Sequence, residues 1–457
     1  MSIHSIADFG ARGDGRNDGP AIQSAIDACA AAGGGTVLVP AGRIWVSGTL
    51  ALKPRVELHV ERGAVLQAST EGDDYLPAGI CGKHVFLSGQ DAPDVAITGG
   101  GVIDGRGTSF MTHEVAHMYK CTAPWRPSLI SLYRCPRLTV RDVTLRDAAN
   151  WALHMTGCDD VVIHGIRILN GLKVPNCDGI DPDHCRRVRI SDCHIEAGDD
   201  CIVLKNRKGF PDLGGCEDIT VTNCTLISTS CALKIGTESH GPFRNIAFSN
   251  CVVRGSNRGL GIQLRDGGDV EDVLFSHCIV ETRHFHDDWW GKAEPIHVSA
   301  VPRQKDAPLG AIRRVRFDDI LCRGENGAFL AAIAPGHLED VVLSGVRMEV
   351  AHRTTYEGGW QDRRPCCFEG LRRHAVAGIY AQRVAGLTVR DTDVRWSGEP
   401  RPWHGHALEA HACPGLRVDR FDGAAARPGL EPVVVDDHAP AEELFDREDR
   451  GREAMGL

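Results

Sequence analysis

With 457 residues, 42% of them apolar and 25% charged, the chain is long enough for two or three average domains or one long repeat fold, and its composition is that of a soluble globular protein. A net charge of −10 and the absence of any basic run argue against a nucleic-acid partner. No stretch approaches about 18 consecutive apolar residues, and the opening "MSIHSIADFGARGDG" has neither a charged n-region nor an apolar h-region, so neither a membrane span nor a signal peptide is expected. The expected location is the cytoplasm, although a secreted chain trimmed of its leader would read the same.

The first predicted element is a helix within 18–35, "DGPAIQSAIDACAAAGGG". Asp18 or Gly19 can cap it, Pro20 suits its first turn, Ile22, Ala25, Ile26 and Cys29 form one apolar face, and the glycines stop it.

A repeat follows. "VRISDC" (188–193), "ITVTNC" (219–224), "IAFSNC" (246–251) and "VLFSHC" (273–278) share an apolar–x–apolar–polar–polar–Cys pattern and begin 31, 27 and 27 residues apart. Weaker copies start at 95, 138 and 161 before them and at 315, 341 and 387 after them. Alternation over five or six residues predicts a strand, and a strand recurring at this period predicts a solenoid. No helical spacer fits between copies. The expected fold is therefore all-β, a right-handed parallel β-helix over residues 1–436, with the 18–35 helix covering its N-terminal opening. A charged tail, 437–457, closes the chain. The 18 cysteines do not form paired knuckles, even at "PCC" (365–367), and are expected to pack as small hydrophobes rather than to hold zinc or form disulfides.

Stacking gathers acids. Asp178 in "VPNCDGIDPDHC" (174–185) precedes Asp199 of "EAGDDCIVLK" (196–205) by 21 residues, close to one coil. Residues one coil apart become neighbours about 4.8 Å apart. Asp178, Asp199 and Asp200 should meet on one outer face, with Asp181 and Asp183 as candidate additions. Asp199 and Asp200 share a face only where the chain turns, which Gly198 permits. Such a cluster binds calcium or performs acid/base chemistry, with one pKa pushed upward by like charge.

"NCDGIDPD", "GDDCIVLK" and "IADFGARGDGRNDGPAIQSAID" together resemble glycoside hydrolase family 28, the polygalacturonases and their relatives, over roughly residues 3–430. The resemblance implies a right-handed parallel β-helix and hydrolysis with inversion at the anomeric carbon. It implies Asp199 as general acid, Asp178 and Asp200 as the groups holding and deprotonating the water, and Asn176 as an orienting residue. No metal or other cofactor is expected. Inversion needs acid and base about 6.5–9.5 Å apart.

The chain departs from the family pattern in two places. Where the family has Gly-His-Gly, this chain has "TSCALKIG" (229–236); His240 in "TESHGPF" can reach the same space from the next loop. Where the family has Arg-Ile-Lys, which binds a galacturonate carboxylate, this chain has Gly261 and Gln263 in "GLGIQLRDGG" (259–268). Arg265 and Lys205 are candidate substitutes; without one, selection for a uronate at that subsite weakens.

Two insertions suggest cleft walls. "RHFHDDWWGKAEPIHV" (283–298) offers Trp289 or Trp290 as a sugar platform, and "HRTTYEGGWQDRRP" (352–365) carries Tyr356, Trp360, Arg363 and Arg364. A blocked cleft means action on chain ends. The favoured reading is an inverting, exo-acting glycoside hydrolase of pectin-type oligosaccharides that is not a standard polygalacturonase. A non-catalytic polysaccharide-binding β-helix and a pectate-lyase-like enzyme share the fold and stay open. The expected partner is the oligosaccharide, with no nucleic acid and no membrane; oligomeric state is not legible.

Overall fold

A computed structural model describes residues 2–77, 79, 83–121, 125–442 and 444. The repeat blocks are strands. "VVIHGI" begins within Asp159–His164, "VRISDC" within Arg186–Ser191, and "IAFSNC" within Phe243–Ser249. In Arg186–Ser191 the apolar Val188 and Ile190 are buried and the residues flanking Val188 are exposed. Strict alternation with one apolar face is what lets a strand line a core on one side only.

The chain divides into two compact units, Met1–Ile202 with Asp218–Cys224, and Val203–Glu217 with Thr225–Leu457. Each is a right-handed parallel β-helix with three strands to a coil. In the first unit one wall stacks Gly35–Val39, Val56–Val60, Ala96–Gly99, Thr139–Arg141, Asp159–His164 and Arg186–Ser191, all parallel. A second stacks Ile44–Ser47, Val65–Ala68, Val102–Asp104, Thr144–Arg146, Arg167–Leu169 and His194–Ala197. The third stacks Leu50–Leu52, Val85–Gln90, Ser128–Tyr133, Leu153–Thr156 and Ile180–Asp183. In the second unit the third wall runs through Cys231–Ser239, Arg258–Leu264, Ile296–Ala300, Ala328–Ala332, Ile379–Gln382, Leu408–His411 and Val433–Asp436.

The polar–Cys ending of each repeat is a corner. Asp142, Asp192 and Asn223 in the first unit, and Asn250, His277 and Asp319 in the second, all take a left-handed backbone with φ between 53° and 61°. Asn and Asp tolerate that conformation best among side-chain-bearing residues. The residue after the corner turns inward, so Cys193, Cys224, Cys251 and Cys278 are buried. Among the described residues no cysteine is in a disulfide. Register also stacks like on like: Phe248, Phe275 and Phe317 lie ring over ring at 4.8 and 4.9 Å.

The predicted cap is the helix α1, Gly19–Ala31, with Asp18 at its N-cap and Pro20 in its first turn. Ile22, Ala25, Ile26 and Cys29 are its buried face, and burying each isoleucine contributes about 1.5–3 kcal/mol. Asp18 does not cap with its side chain. Its carboxylate instead takes the backbone N–H of Arg12 at 2.7 Å and of Gly13 at 3.0 Å, fastening the preceding loop. No helix among the described residues is long and apolar enough to cross a membrane. Of the charged tail, residues 443 and 445–457 lie outside the described residues. Glu442 is tied down, accepting from Arg363 at 2.8 Å and from Gln382 at 2.6 Å.

Candidate active site

Asp178 and Asp200 meet as neighbours on successive coils. The Gly179 N–H donates to the Asp200 carbonyl at 2.9 Å, and the Ile180 N–H to that of Cys201 at 2.9 Å. Oxygens of Asp178, Asp199 and Asp200 all come within 4.8 Å of one another. Asp178 and Asp200 are each only 2% exposed, whereas Asp199 is half-buried and reaches solvent. This nearest-oxygen distance across a trio is shorter than the about 6.5–9.5 Å expected between the carboxyl groups of one inverting pair.

Gly198 serves the turn by a different route from the one its backbone freedom suggests. A Cβ there would lie 2.5 Å from the Val174 carbonyl oxygen and 2.6 Å from that of Gly171. The glycine is needed for close approach of the 171–174 loop, and left-handed backbone is not involved. That approach brings the Asp178 loop against the Asp199–Asp200 turn. Cys177 completes the contact, its thiol donating to the Val174 carbonyl at 3.0 Å and accepting from the Gly198 N–H at 3.2 Å. Burial pushes the Cys177 thiol pKa well up, so it stays a neutral donor.

Two further side chains hold this loop. Asn170 accepts from the Ala148 N–H and donates to the Cys177 carbonyl, both at 3.0 Å. Arg126 donates to the Asn176 side-chain oxygen at 2.7 Å, to the Ala149 carbonyl at 2.8 Å, and to the Pro175 carbonyl. Asn176 itself is left-handed, with φ 54°, one residue before Cys177. Arg126 was not legible as a site residue. Its only signal is the Trp-Arg-Pro of a stretch that breaks the repeat, where Trp125 is wedged between Tyr75, His84 and Phe110 at 4.9–5.6 Å. Asp181 and Asp183, the candidate additions, are fully buried, and Asp183 faces His154 at 3.2 Å.

In the second unit, Lys205 lies 3.9 Å from Glu238. Burial raises the Glu238 carboxyl pKa, but Lys205, Arg303 and Lys234 outweigh it and hold it at about 2. Lys234 is in register with Gly261, one coil apart, so positive charge adjoins the position where the family pattern has arginine. Gly261 is sealed, since a Cβ would lie 2.8 Å from the Cys231 sulfur. His240 is exposed and sits 3.5 Å from Asp266. Gln263 is buried, and its Nε2 has no hydrogen-bond partner among the described residues.

Arg265 is not a substitute clamp. It is fully buried and donates to the carbonyls of Pro365, Arg363, Leu264 and Ser299 and to the Ser299 hydroxyl. The insertion after 351 folds over the outer face of the third wall and claims the guanidinium. Trp289 is likewise corrected. It is buried, its ring packs on Phe285 at 6.3 Å, and its carbonyl accepts from Arg364 and Lys292. Trp290 is the half-buried member of the pair.

Three convergent carboxylates on one edge, two buried and one half-buried, can perform acid/base chemistry or hold a hard cation. Residues 29–282, more than half of the chain, match the family model described as "Glycosyl hydrolases family 28", and the chain belongs to that family. A probable polygalacturonase from Vitis vinifera is 32% identical over 265 residues, 53% of this chain and 53% of that protein. The chain thus spans about half the length of the curated relatives it matches. In fold it is similar to a hyperthermoactive exopolygalacturonase from Thermotoga maritima, with TM-score 0.62 at 21% identity over 98% of this chain and 94% of that one. It is similar also to a family 28 exopolygalacturonase from Yersinia enterocolitica, with TM-score 0.64 at 19% identity over 93% of this chain and 79% of that one.

Proposed function

We propose that this chain is an inverting, exo-acting glycoside hydrolase of pectin-type oligosaccharides, with a carboxylate reader unlike that of a standard polygalacturonase. The observation that carries the reading is the convergence of Asp178, Asp199 and Asp200. Asp199, alone of the three in reaching solvent, suits the general acid that protonates the leaving oxygen. Asp178 and Asp200, both buried and adjacent on successive coils, suit the pair that holds and deprotonates water. Asn176, held by Arg126, orients the site.

The exopolygalacturonases that this chain resembles in fold suggest exo action, and the insertion after 351 is a departure from the repeat. In the second unit it covers the third wall from Arg258 to Pro302 through bonds from Arg258 to Asp362, from Arg265 to Pro365, and from Cys367 to Pro302. Membership of the family and the exopolygalacturonase relatives in fold agree with this reading.

The test is incubation with a panel of pectic oligosaccharides, with products resolved by mass and the first minutes followed by proton NMR. Monomer or dimer released from one end with inverted anomeric configuration is expected. Asp199→Asn should lower the rate by about 10²–10⁴-fold with the fold intact. A retained anomer, an unsaturated product, or an Asp199→Asn protein of near wild-type rate would overturn the assignment.

A further inference from the structure

His374, Glu409 and His411 form a second cluster, in the second unit, that the proposed chemistry does not use. Glu409 and His411 lie two apart on strand Leu408–His411 and so share its outer face. His374 follows the short strand Leu371–Arg373 of the insertion. His374 Nε2 is 3.1 Å and His411 Nε2 2.8 Å from the same oxygen, Oε1 of Glu409. All three ligand atoms lie within 4.8 Å of one another.

The hydrogen bonding of His374 leaves one ring nitrogen turned toward the cluster. Its Nδ1 is 2.7 Å from the Ala375 carbonyl, which only accepts, so the Nδ1 carries a proton. With Nδ1 engaged, the ring directs its Nε2 at the Glu409 oxygen 3.1 Å away. A backbone carbonyl on one ring nitrogen, leaving the other for a metal, is the usual support for a metal-binding histidine. Ligand bonds of about 2.0–2.1 Å in a tetrahedron put ligand atoms about 3.4 Å apart. The two edges to Glu409 must lengthen by about 0.6 and 0.3 Å, and the histidine–histidine edge lies within 4.8 Å.

We propose that His374, Glu409 and His411 bind one zinc(II) ion, with the fourth position open to solvent. Two imidazoles and a carboxylate are a borderline-soft donor set that suits zinc over calcium or magnesium. The ion cross-links the hairpin Trp360–Asp362/Leu371–Arg373 to strand Leu408–His411. It is a clamp on the insertion that covers the third wall, not a part of the hydrolytic chemistry.

The test uses the full chain, stripped with a chelator and titrated with zinc chloride alone. Expected are one zinc per chain retained through gel filtration and a Tm raised by a few degrees. Cobalt(II) in its place should give visible tetrahedral bands without strong sulfur-to-cobalt absorption, which separates this site from the cysteines. Glu409→Gln and His374→Ala should each weaken binding about 100-fold or more and abolish the zinc-dependent rise in Tm. His374 lies on a partly exposed loop, so its variant keeps the test valid if Glu409→Gln fails to fold. No stoichiometric zinc, or zinc retained undiminished in folded His374→Ala, overturns the proposal and leaves a proton-bridged pair of histidines.

Discussion

Arg126 and Asn176, 50 residues apart in sequence, are joined by a 2.7 Å hydrogen bond that fixes the loop leading into Asp178. The same guanidinium also fastens the Ala149 and Pro175 carbonyls, so one side chain sets the position of the neighbouring acid.

Arg126→Ala should therefore lower kcat/KM by about 10–100-fold, since a misplacement near 1 Å is enough for that. Stability should fall by only about 1–3 kcal/mol. Arg126→Lys should recover little, because a lysine cannot present the planar fork. Kinetics beside urea denaturation separate the effects; unchanged kcat/KM in a folded Arg126→Ala protein would show that the loop holds itself.

Arg265 should behave in the opposite way. Its removal leaves the carbonyls of Pro365, Arg363 and Ser299 without this buried donor. Arg265→Met should cost on the order of 3–5 kcal/mol and lower Tm, with KM for surviving folded protein little changed. A selective rise in KM at full stability would return Arg265 to the substrate.

Stability should weaken in mild acid. Burial holds His284, His297 and His404 down to a pKa of about 4, with Lys292, Arg258 and His352 respectively adding repulsion. Their unfolded pKa is about 6.5, so between pH 6.5 and 4 the unfolded chain binds more protons, and stability falls as pH falls through that window. Each group accounts for at most about 3 kcal/mol. Urea unfolding at pH 7 and pH 5 reads the loss, and His297→Gln should flatten the slope. Equal stability at the two pH values would mean these histidines protonate in place.

Lys234, one coil before Gly261, is the group to test for carboxylate reading. Lys234→Met should raise KM for oligogalacturonate by about 10–100-fold, the value of one charge-assisted bond, and leave a neutral-sugar pectic oligomer less affected. An equal loss on both substrates would assign Lys234 to holding Glu238 instead.

The sequence by itself determined whatever depends on the coil period. Repeat strands, inward cysteines and the convergence of Asp178 with Asp199 and Asp200 all follow from residues recurring near one coil length, because parallel stacking turns a fixed sequence interval into contact, while the α1 cap follows from its own helical signals. It did not determine what the insertions touch. Arg265 and Pro365 are 100 residues apart, and His374 reaches Glu409 only because a hairpin outside the repeat folds over the third wall. No period links such pairs. An arginine just past a strand end reads as exposed, and a tryptophan in a loop reads as available, until the insertion arrives to bury both. Even Gly198, singled out correctly, acts through a close approach of the 171–174 loop that only the folded backbone defines. Local periodicity is written residue by residue, whereas burial of an outer face depends on which distant segment covers it, and that is decided by tertiary packing.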